Sequence, residues 1–391
     1  MSFEIRDGVE YVKLSDIASY SKTRISIDKL NKNNYISVEN LLPDKAGKIN
    51  AISLPKEYNC IYYPVGTVLI GNIRPYLRKI WLSDCEGGTN SDVLPVVVND
   101  KNKMLPEFLY YVLSSEKFFR YDIQNSRGGK MPRGDKTAVM NFSVPVPSLE
   151  VQKEIVRVLD MFTECTELLS KELELRKKQY KYYRNKLLTF GDDVDYKTLK
   201  EVCEVITKGT TPKLYEKSGI SFIKTESFNG RYIDKSKLFF VSPETHNNFL
   251  KRSVLKEKDI LFSIAGTIGK TAIVTKDVLP ANTNQALAII RLKSEENLKY
   301  ILYILESKYM QDYMRMCIKG SAQPNLNLTQ LSDFKFPYPP IEEQERIVKI
   351  LDNFDTLCND LTHGIPAEIA LRKKQYEYYR DKLLTFKIKK F

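Results

Sequence analysis

Along two stretches of the chain, apolar residues recur in alternating steps of four and three. In the first, Ile155, Leu159, Phe162, Thr166, Leu169, Leu173, Arg176, Tyr180, Tyr183 and Leu187 form one seam. That rhythm predicts a helix of about 38 residues, roughly 55–60 Å long, with a coiled-coil face. Ser148 stands where an N-cap is expected, with Glu150 in the first turn. In the second stretch, Ile347, Leu351, Phe354, Cys358 and Leu361 keep the same rhythm, and Ile365 and Ile369 follow at steps of four. Arg372, Tyr376, Tyr379 and Leu383 then resume it. This second copy carries a four-residue stutter at Thr362-His363-Gly364-Ile365-Pro366. Gly364 and Pro366 predict a kink or restart there, with Pro366 near the new N1 position. Elsewhere the periods are short. The apolar runs 67–73, 93–98, 260–264, 272–274 and 286–292 predict strands, and 106–121 and 297–317 predict amphipathic helices.

The two long seams belong to a tandem duplication. Residues 175–190 (LRKKQYKYYRNKLLTF) and 371–386 (LRKKQYEYYRDKLLTF) match at 14 of 16 positions. At an offset of 192, Glu150, Gln152, Ile155, Val156, Leu159, Asp160 and Phe162 recur as Glu342, Gln344, Ile347, Val348, Leu351, Asp352 and Phe354. The offset holds upstream at weaker similarity: 108–113 lies over 300–305, and Gly128 and Pro132 lie over Gly320 and Pro324. The expected organisation is a mixed α/β chain, duplicated with a pseudo-two-fold. It comprises a globular region, residues 1–148; a helical spacer, 149–190; a second globular region, 191–340; and a second spacer with a basic tail, 341–391. Two such helices in one chain are expected to pack as an antiparallel coiled coil. Each outruns a 150-residue domain, which is roughly 30 Å across.

A length of 391 residues suits two or three domains, and 42% apolar residues suffice to bury real cores. No apolar run approaches the ~18 residues that span a bilayer, and the N-terminus lacks a signal-peptide stretch. These features predict a cytoplasmic protein with no membrane partner. The formal charge is +12, which suggests an anionic partner. Divided along the chain, 1–148 carries +4, 149–190 carries +2, 191–340 carries +5, 341–386 carries −2 and the tail +3. The helical stretches cancel. This predicts globular regions that touch an anion and helices that touch protein.

The cations of the globular regions cluster in loops punctuated by Gly and Pro. With the polar residues beside them, the candidates are Arg74, Arg78 and Lys79; Arg127, Lys130, Arg133 and Lys136; Lys208, Thr210, Thr211 and Lys213; Thr267 and Lys270; and Lys319, Ser321, Gln323 and Asn325. Arg, Lys, Asn and Gln are the side chains that read base edges, and Lys, Ser, Thr and Gly amides suit phosphates. Lys22, Arg24, Lys224, Asn284 and Gln285 complete the candidate DNA-binding set.

Other chemistry is missing. The six cysteines include no Cys-x-x-Cys and there are only two histidines, so no metal site is expected. Gly266-Thr267-Ile268-Gly269-Lys270-Thr271 imitates a P-loop but has two residues between its glycines where four are needed. No Gly-x-Gly-x-x-Gly, Gly-x-Ser-x-Gly or Asp/Asn-Pro-Pro-Tyr/Phe signature is present. No catalytic residue is expected. A stand-alone two-domain DNA-binding regulator is the alternative to a subunit of a larger complex.

The duplication, the entries of the type Pro339-Pro340-Ile341-Glu342-Glu343-Gln344 to Leu351-Asp352, and the LRKKQYxYYRxKLL exits together resemble the specificity (S) subunits of type I restriction-modification systems. So do Lys208-Gly209-Thr210-Thr211-Pro212, Ile264 to Lys270, Asn284-Gln285 and Gly320 to Asn325. The resemblance covers essentially the whole chain. It implies two target recognition domains, each reading one half of a split double-stranded DNA site, and a non-catalytic role. It implies that the helical repeats dock two modification (M) subunits, which carry S-adenosylmethionine and methylate adenine. Restriction (R) subunits, with ATP and Mg, would join them, so no cofactor is expected in this chain. The residues expected to form the seam or meet a partner are Ile155, Leu159, Phe162, Leu169, Leu173, Tyr180, Tyr183, Leu187, Ile347, Leu351, Phe354, Leu361, Ile369, Tyr376, Tyr379 and Leu383. The first half departs from the pattern, with GNIRPYLR at 71–78 against SIAGTIGK at 263–270, which suggests an asymmetric site.

If the helices act as a ruler, four added residues raise the helix by about 6 Å, close to two base pairs. Inserting four residues between Leu169 and Glu174 should lengthen the gap between half-sites. An unchanged gap in the mapped methylation motif rejects the ruler.

Overall fold

The computed structural model describes residues 8–55, 59–191, 193–318 and 325–388. They gather into two compact units. The first runs to Ser170 and resumes at Glu368; the second is Lys171–Ala367. The unit boundary falls inside the helix Leu149–Leu187, 39 residues and about 58 Å long. The repeat written in the sequence and the unit built in space are therefore out of phase. Each unit takes its globular region and entry helix from one repeat and its exit helix from the other.

The same sheets recur in both units. In the first, strands Ala18–Tyr20, Val93–Val98, Val68–Gly71 and Ile80–Leu82 lie side by side in that order, every pair antiparallel. In the second, Cys203–Lys208, Leu287–Leu292, Ile260–Ser263 and Thr271–Ile273 repeat the order and sense. A two-stranded ribbon closes each globular region: Glu10–Lys13 with Ser143–Val146, and Tyr196–Thr198 with Lys335–Pro337. A further sheet with one parallel pair lies in each unit, at Tyr35–Ile36 beside Gly87–Thr89 and at Ile220–Ile223 beside Ala281–Thr283. The fold is mixed α/β and duplicated.

The amphipathic runs expected as single helices are each two. Pro106–Leu113 is followed by Glu116–Gln124, and Leu298–Leu305 by Lys308–Ile318. The break is written in serine. The Ser115 hydroxyl accepts from Phe118 N, and the Ser307 hydroxyl from Met310 N. An N-cap inside an apolar period starts a new helix without disturbing the pattern.

Each entry helix begins with a buried glutamine. Gln152 and Gln344 donate from Nε2 to the carbonyls of Pro147 and Pro339, each at 2.9 Å. Two turns later a carboxylate receives a tyrosine: Tyr111 donates to Asp160, and Tyr303 to Asp352 at 2.7 Å. All these partners keep the offset of 192. Ile155 and Leu159 join the core of the first unit, where Tyr376, Leu383, Leu384 and Phe386 of the second repeat's exit pack against it. Ile347 and Leu351 join the core of the second unit with Tyr180, Leu187, Leu188 and Phe190 of the first repeat's exit. Phe162 stacks on Tyr379 at 5.5 Å. Phe354 stacks on Tyr180 and Tyr183 at 6.1 and 5.6 Å.

The second seam restarts where glycine and proline stand. Ile341–Asn359 ends, and Ile365–Leu383 begins after a turn in which Gly364 N donates to Asp360 O. A Cβ on Gly364 would lie 2.4 Å from Thr356 O, so only glycine closes this turn. Leu361 falls in the turn and is 72% exposed, outside both helices. Its apolar phase matches the seam, but no helix carries it there. Leu169, Leu173 and Ile369 are half-buried.

Tyr303→Phe removes the bond to Asp352 while Lys299 still pairs with that carboxylate. The full chain should lose about 1–2 kcal/mol, read as a lower urea midpoint. A midpoint equal to that of the parent chain contradicts this account.

Candidate nucleic-acid interface

The four-stranded sheet of each unit delivers its loops to one edge. Because neighbouring strands are antiparallel, the chain leaves after Tyr20 and Gly71 and returns before Ile80 and Val93 at the same end. In the second unit it leaves after Lys208 and Ser263 and returns before Thr271 and Leu287. These are the loops in which most of the candidate DNA-binding residues lie.

A second segment docks on this edge in both units through one main-chain rung. In the first, Ile73 pairs with Arg133, and Gly134 N donates to Asn72 O at 3.0 Å. In the second, Ala265 pairs with Asn325, and Leu326 N donates to Ile264 O at 2.9 Å. All four partners match at the offset of 192. A short capped helix then ends the docked segment. Asp135 accepts from Thr137 N and Ala138 N, and Asn327, its counterpart, accepts from Gln330 N. The backbone amides hold the geometry, so the side chains are left to vary.

The first unit's cluster is basic and pre-oriented. Arg127 and Arg133 exchange two main-chain hydrogen bonds of 2.8 Å. Their guanidinium groups pair with Asp135 and Asp92, each at 3.0 Å, and stay 85% and 62% exposed. Such exposed pairs are worth about 0–1 kcal/mol, little enough to be exchanged for a phosphate. Lys130 is exposed, and Lys136 reaches Ser91 O at 3.4 Å. Lys22 is exposed in the loop after Tyr20, and Arg74 N is held by Pro132 O at 2.7 Å.

Three of the predicted residues have partners within the protein or stand on another sheet. Arg78 pairs with Glu116 at 3.1 Å, and Lys79 donates to Val38 O at 2.6 Å, where burial lowers its pKa. Arg74 and Arg78 both adopt left-handed backbone around the turn Pro75–Leu77. Arg24 lies on an outer strand, Arg24–Ser26, paired with Asn59–Tyr63 in the other sheet.

In the second unit, Thr210 N donates to Thr283 O at 3.0 Å, and the Thr211 hydroxyl to Gln285 Oε1 at 3.1 Å. These bonds bring Lys208, Thr210, Thr211, Asn284 and Gln285 together. A Cβ on Gly209 would lie 2.1 Å from Thr283 O, so glycine alone permits this approach. Ile264 N donates to Ala286 O at 2.8 Å, joining the loop of Thr267 and Lys270 to the group. Lys213 is exposed. Lys224 is engaged differently: its ammonium lies 3.7 Å from the Phe239 ring and 4.1 Å from that of Tyr215. Lys319, Ser321 and Gln323 fall outside the described residues. The P-loop imitation is closed, since Gly269 N donates to Ser263 O and Lys270 N to the Ser263 hydroxyl. Those amides are not free to cradle a phosphate.

A buried polar group under the first cluster carries no sequence signal. Asn72 and Asp122 are 5% and 2% exposed, and one side-chain oxygen of each lacks a partner. Burial pushes the Asp122 carboxyl up to about 6. Both oxygens face Gly134, where a Cβ would lie 2.6 Å from Asp122 Oδ1 and 2.7 Å from Asn72 Oδ1. The matching residues of the second half, Ile264, Met314 and Leu326, are all apolar. A substitution of the whole set is the one trace a sequence could show. Gly134→Ala should cost about 1–3 kcal/mol, whereas Gly129→Ala, with open space around it, should stay within about 0.5 kcal/mol. Thermal denaturation of the two variants decides it, and equal midpoints would refute the close approach.

Among the described residues no group of His, Cys, Asp and Glu could hold a metal, and no helix is long and apolar enough to cross a membrane. The family model for the type I restriction modification DNA specificity domain matches residues 6–176 and 191–371. The specificity subunit of the type I restriction enzyme EcoR124I/EcoR124II of Escherichia coli is 31% identical over 407 residues, covering 98% of this chain and 96% of that one. A putative type I restriction enzyme specificity subunit of Haemophilus influenzae is 33% identical over 74% of each chain. Among solved structures, the HsdS subunit of Thermoanaerobacter tengcongensis has a TM-score of 0.55 at 19% identity, over 98% of both chains. A chain from a structural study of the assembly of the type I R-M system has a TM-score of 0.67 at 20% identity, over 98% of this chain and 99% of that one. With two matched domains in one duplicated fold, the chain belongs to the specificity subunits of type I restriction-modification systems.

Proposed function

We propose that the chain reads a bipartite, asymmetric DNA site without catalysing a reaction, one half-site at each loop edge. The observation that carries this is the pair of matched main-chain rungs, Ile73 with Arg133 and Ala265 with Asn325, bearing unlike side chains. A shared scaffold with variable readers is what two different half-sites require. On this reading 1–148 and 191–340 are the exchangeable recognition domains, and 149–190 and 341–391 are the spacer. The helices pack antiparallel in it.

The helices would also dock two modification subunits. Leu175 and its counterpart Leu371 are 64% and 55% exposed, and Tyr182 and Tyr378 are 60% and 61% exposed. Spaced by seven residues, each pair lies on one helix face, and the same face occurs twice. One partner surface could therefore bind at both copies. S-adenosylmethionine would be held by those subunits, and ATP and Mg by the restriction subunits.

Exchanging residues 1–148 for those of another specificity subunit should change one half-site and leave the other. Mapping methylated adenines across the host genome reads this directly. Both half-sites changing together, or every modified adenine persisting after the chain is deleted, rejects the reading.

A further inference from the structure

One guanidinium in the second unit ties five segments together. Arg231 sits on the turn between Phe228–Asn229 and Tyr232–Ile233, opened by Gly230 at a φ of +60°. Its Nε donates to both Glu306 oxygens at 3.0 Å, and Nη2 reaches the same carboxylate. Nη2 also donates to the Tyr180 hydroxyl at 3.3 Å, and Nη1 lies 3.5 Å from Asp355. The guanidinium lies 4.2 Å from the Tyr303 ring centroid. Thr271 completes the shell by donating to Glu306 at 2.6 Å, while Arg231 O accepts from Ile273 N. The hairpin and the sheet edge are thus fixed to the helix break at Glu306, to the entry helix through Asp355 and to the exit helix through Tyr180.

The group is built rather than incidental. The Arg231 side chain is 15% exposed and that of Glu306 is 19%. Burial opposes the charge, and the Glu306 carboxylate more than offsets it. The first unit carries an ion-pair cluster at its own helix break, made from other residues. Lys45 and Arg78 both reach Glu116, at 3.3 and 3.1 Å, at the corresponding helix break. Ser114 stands at the place matching Glu306. Both helix breaks are thus pinned by a carboxylate and a cation from a turn, though only in the second unit does the cation also reach the entry and exit helices.

We propose that Arg231 is a positioning residue that fixes the second recognition surface on its helices and so sets which half-site separation the subunit accepts. This rests on the function proposed above. A recognition domain free to swing on its helices accepts more than one separation, while its loops still read the same bases. A lysine ammonium gathers its three donors on one atom and cannot reproduce the planar fork that sets Nε and Nη2 on Glu306 while Nη1 faces Asp355.

The test is co-expression of the chain with its modification subunit in a host free of adenine methylation. Sites are supplied at the native gap and at gaps one base pair longer and shorter. Arg231→Lys should raise modification at the altered gaps, relative to the native gap, by about tenfold, the scale of one lost charge-assisted bond. The bases of both half-sites should stay unchanged. Unchanged gap selectivity in a folded variant overturns the clasp alone. A fall in modification that is equal at all gaps does the same, because it marks a merely structural role. No modification with the parent chain overturns the functional reading and takes the clasp with it. Should Arg231→Lys fail to fold, Asp355→Asn, which removes the charge facing Nη1 and keeps an oxygen for Asn359, is read by the same criteria.

Discussion

Each unit depends on an aromatic ring from one repeat finding a tyrosine from the other. Phe162 lies on Tyr379, and Phe354 lies on Tyr180 and Tyr183. Both phenylalanines are half-buried, so each gains a part of the roughly 1.5–3 kcal/mol that full burial supplies, and the stacking adds about 0.5–1.5 kcal/mol. The entry helix alone offers its globular region a half-covered apolar stripe. The exit helix supplies the missing cover, and the chain must run through the other repeat to deliver it. That constraint accounts for the match at Tyr180 and Tyr376 and at Leu187 and Leu383, which pack against equivalent cores.

Most of this architecture was legible as repetition. The seams and the offset of 192 announced two copies of one plan, and the same offset locates the Gln–Pro, Tyr–Asp and loop-docking bonds. Two features were hidden for physical reasons. The breaks at Ser115 and Ser307 keep the apolar phase, so a period cannot reveal them. The phase shift between repeat and unit depends on which helix meets which, and a heptad pattern says only that a partner exists.

The candidate site was legible as loops and less so as residues. Composition located the basic clusters, and the antiparallel sheets brought them to one edge. It could not distinguish a free cation from an engaged one. Lys79 is held by Val38 O, and Lys224 by two rings. The Arg127 and Arg133 side chains remain largely exposed because their acidic partners lie beside them at the surface. Nor could a string show that Gly134 is small because Asn72 and Asp122 crowd it, since crowding is a property of three segments at once.

The crossed exit helices bear on what a single repeat requires. Residues 175–190 and 371–386 are nearly the same, so joining the chain between them removes the length of one repeat and leaves one globular region, one entry helix and one exit helix. Such a product is not half a machine. Its exit tyrosine has no phenylalanine to meet within its own unit, but a second copy of the same product offers one. Two copies exchanging exits would rebuild both units.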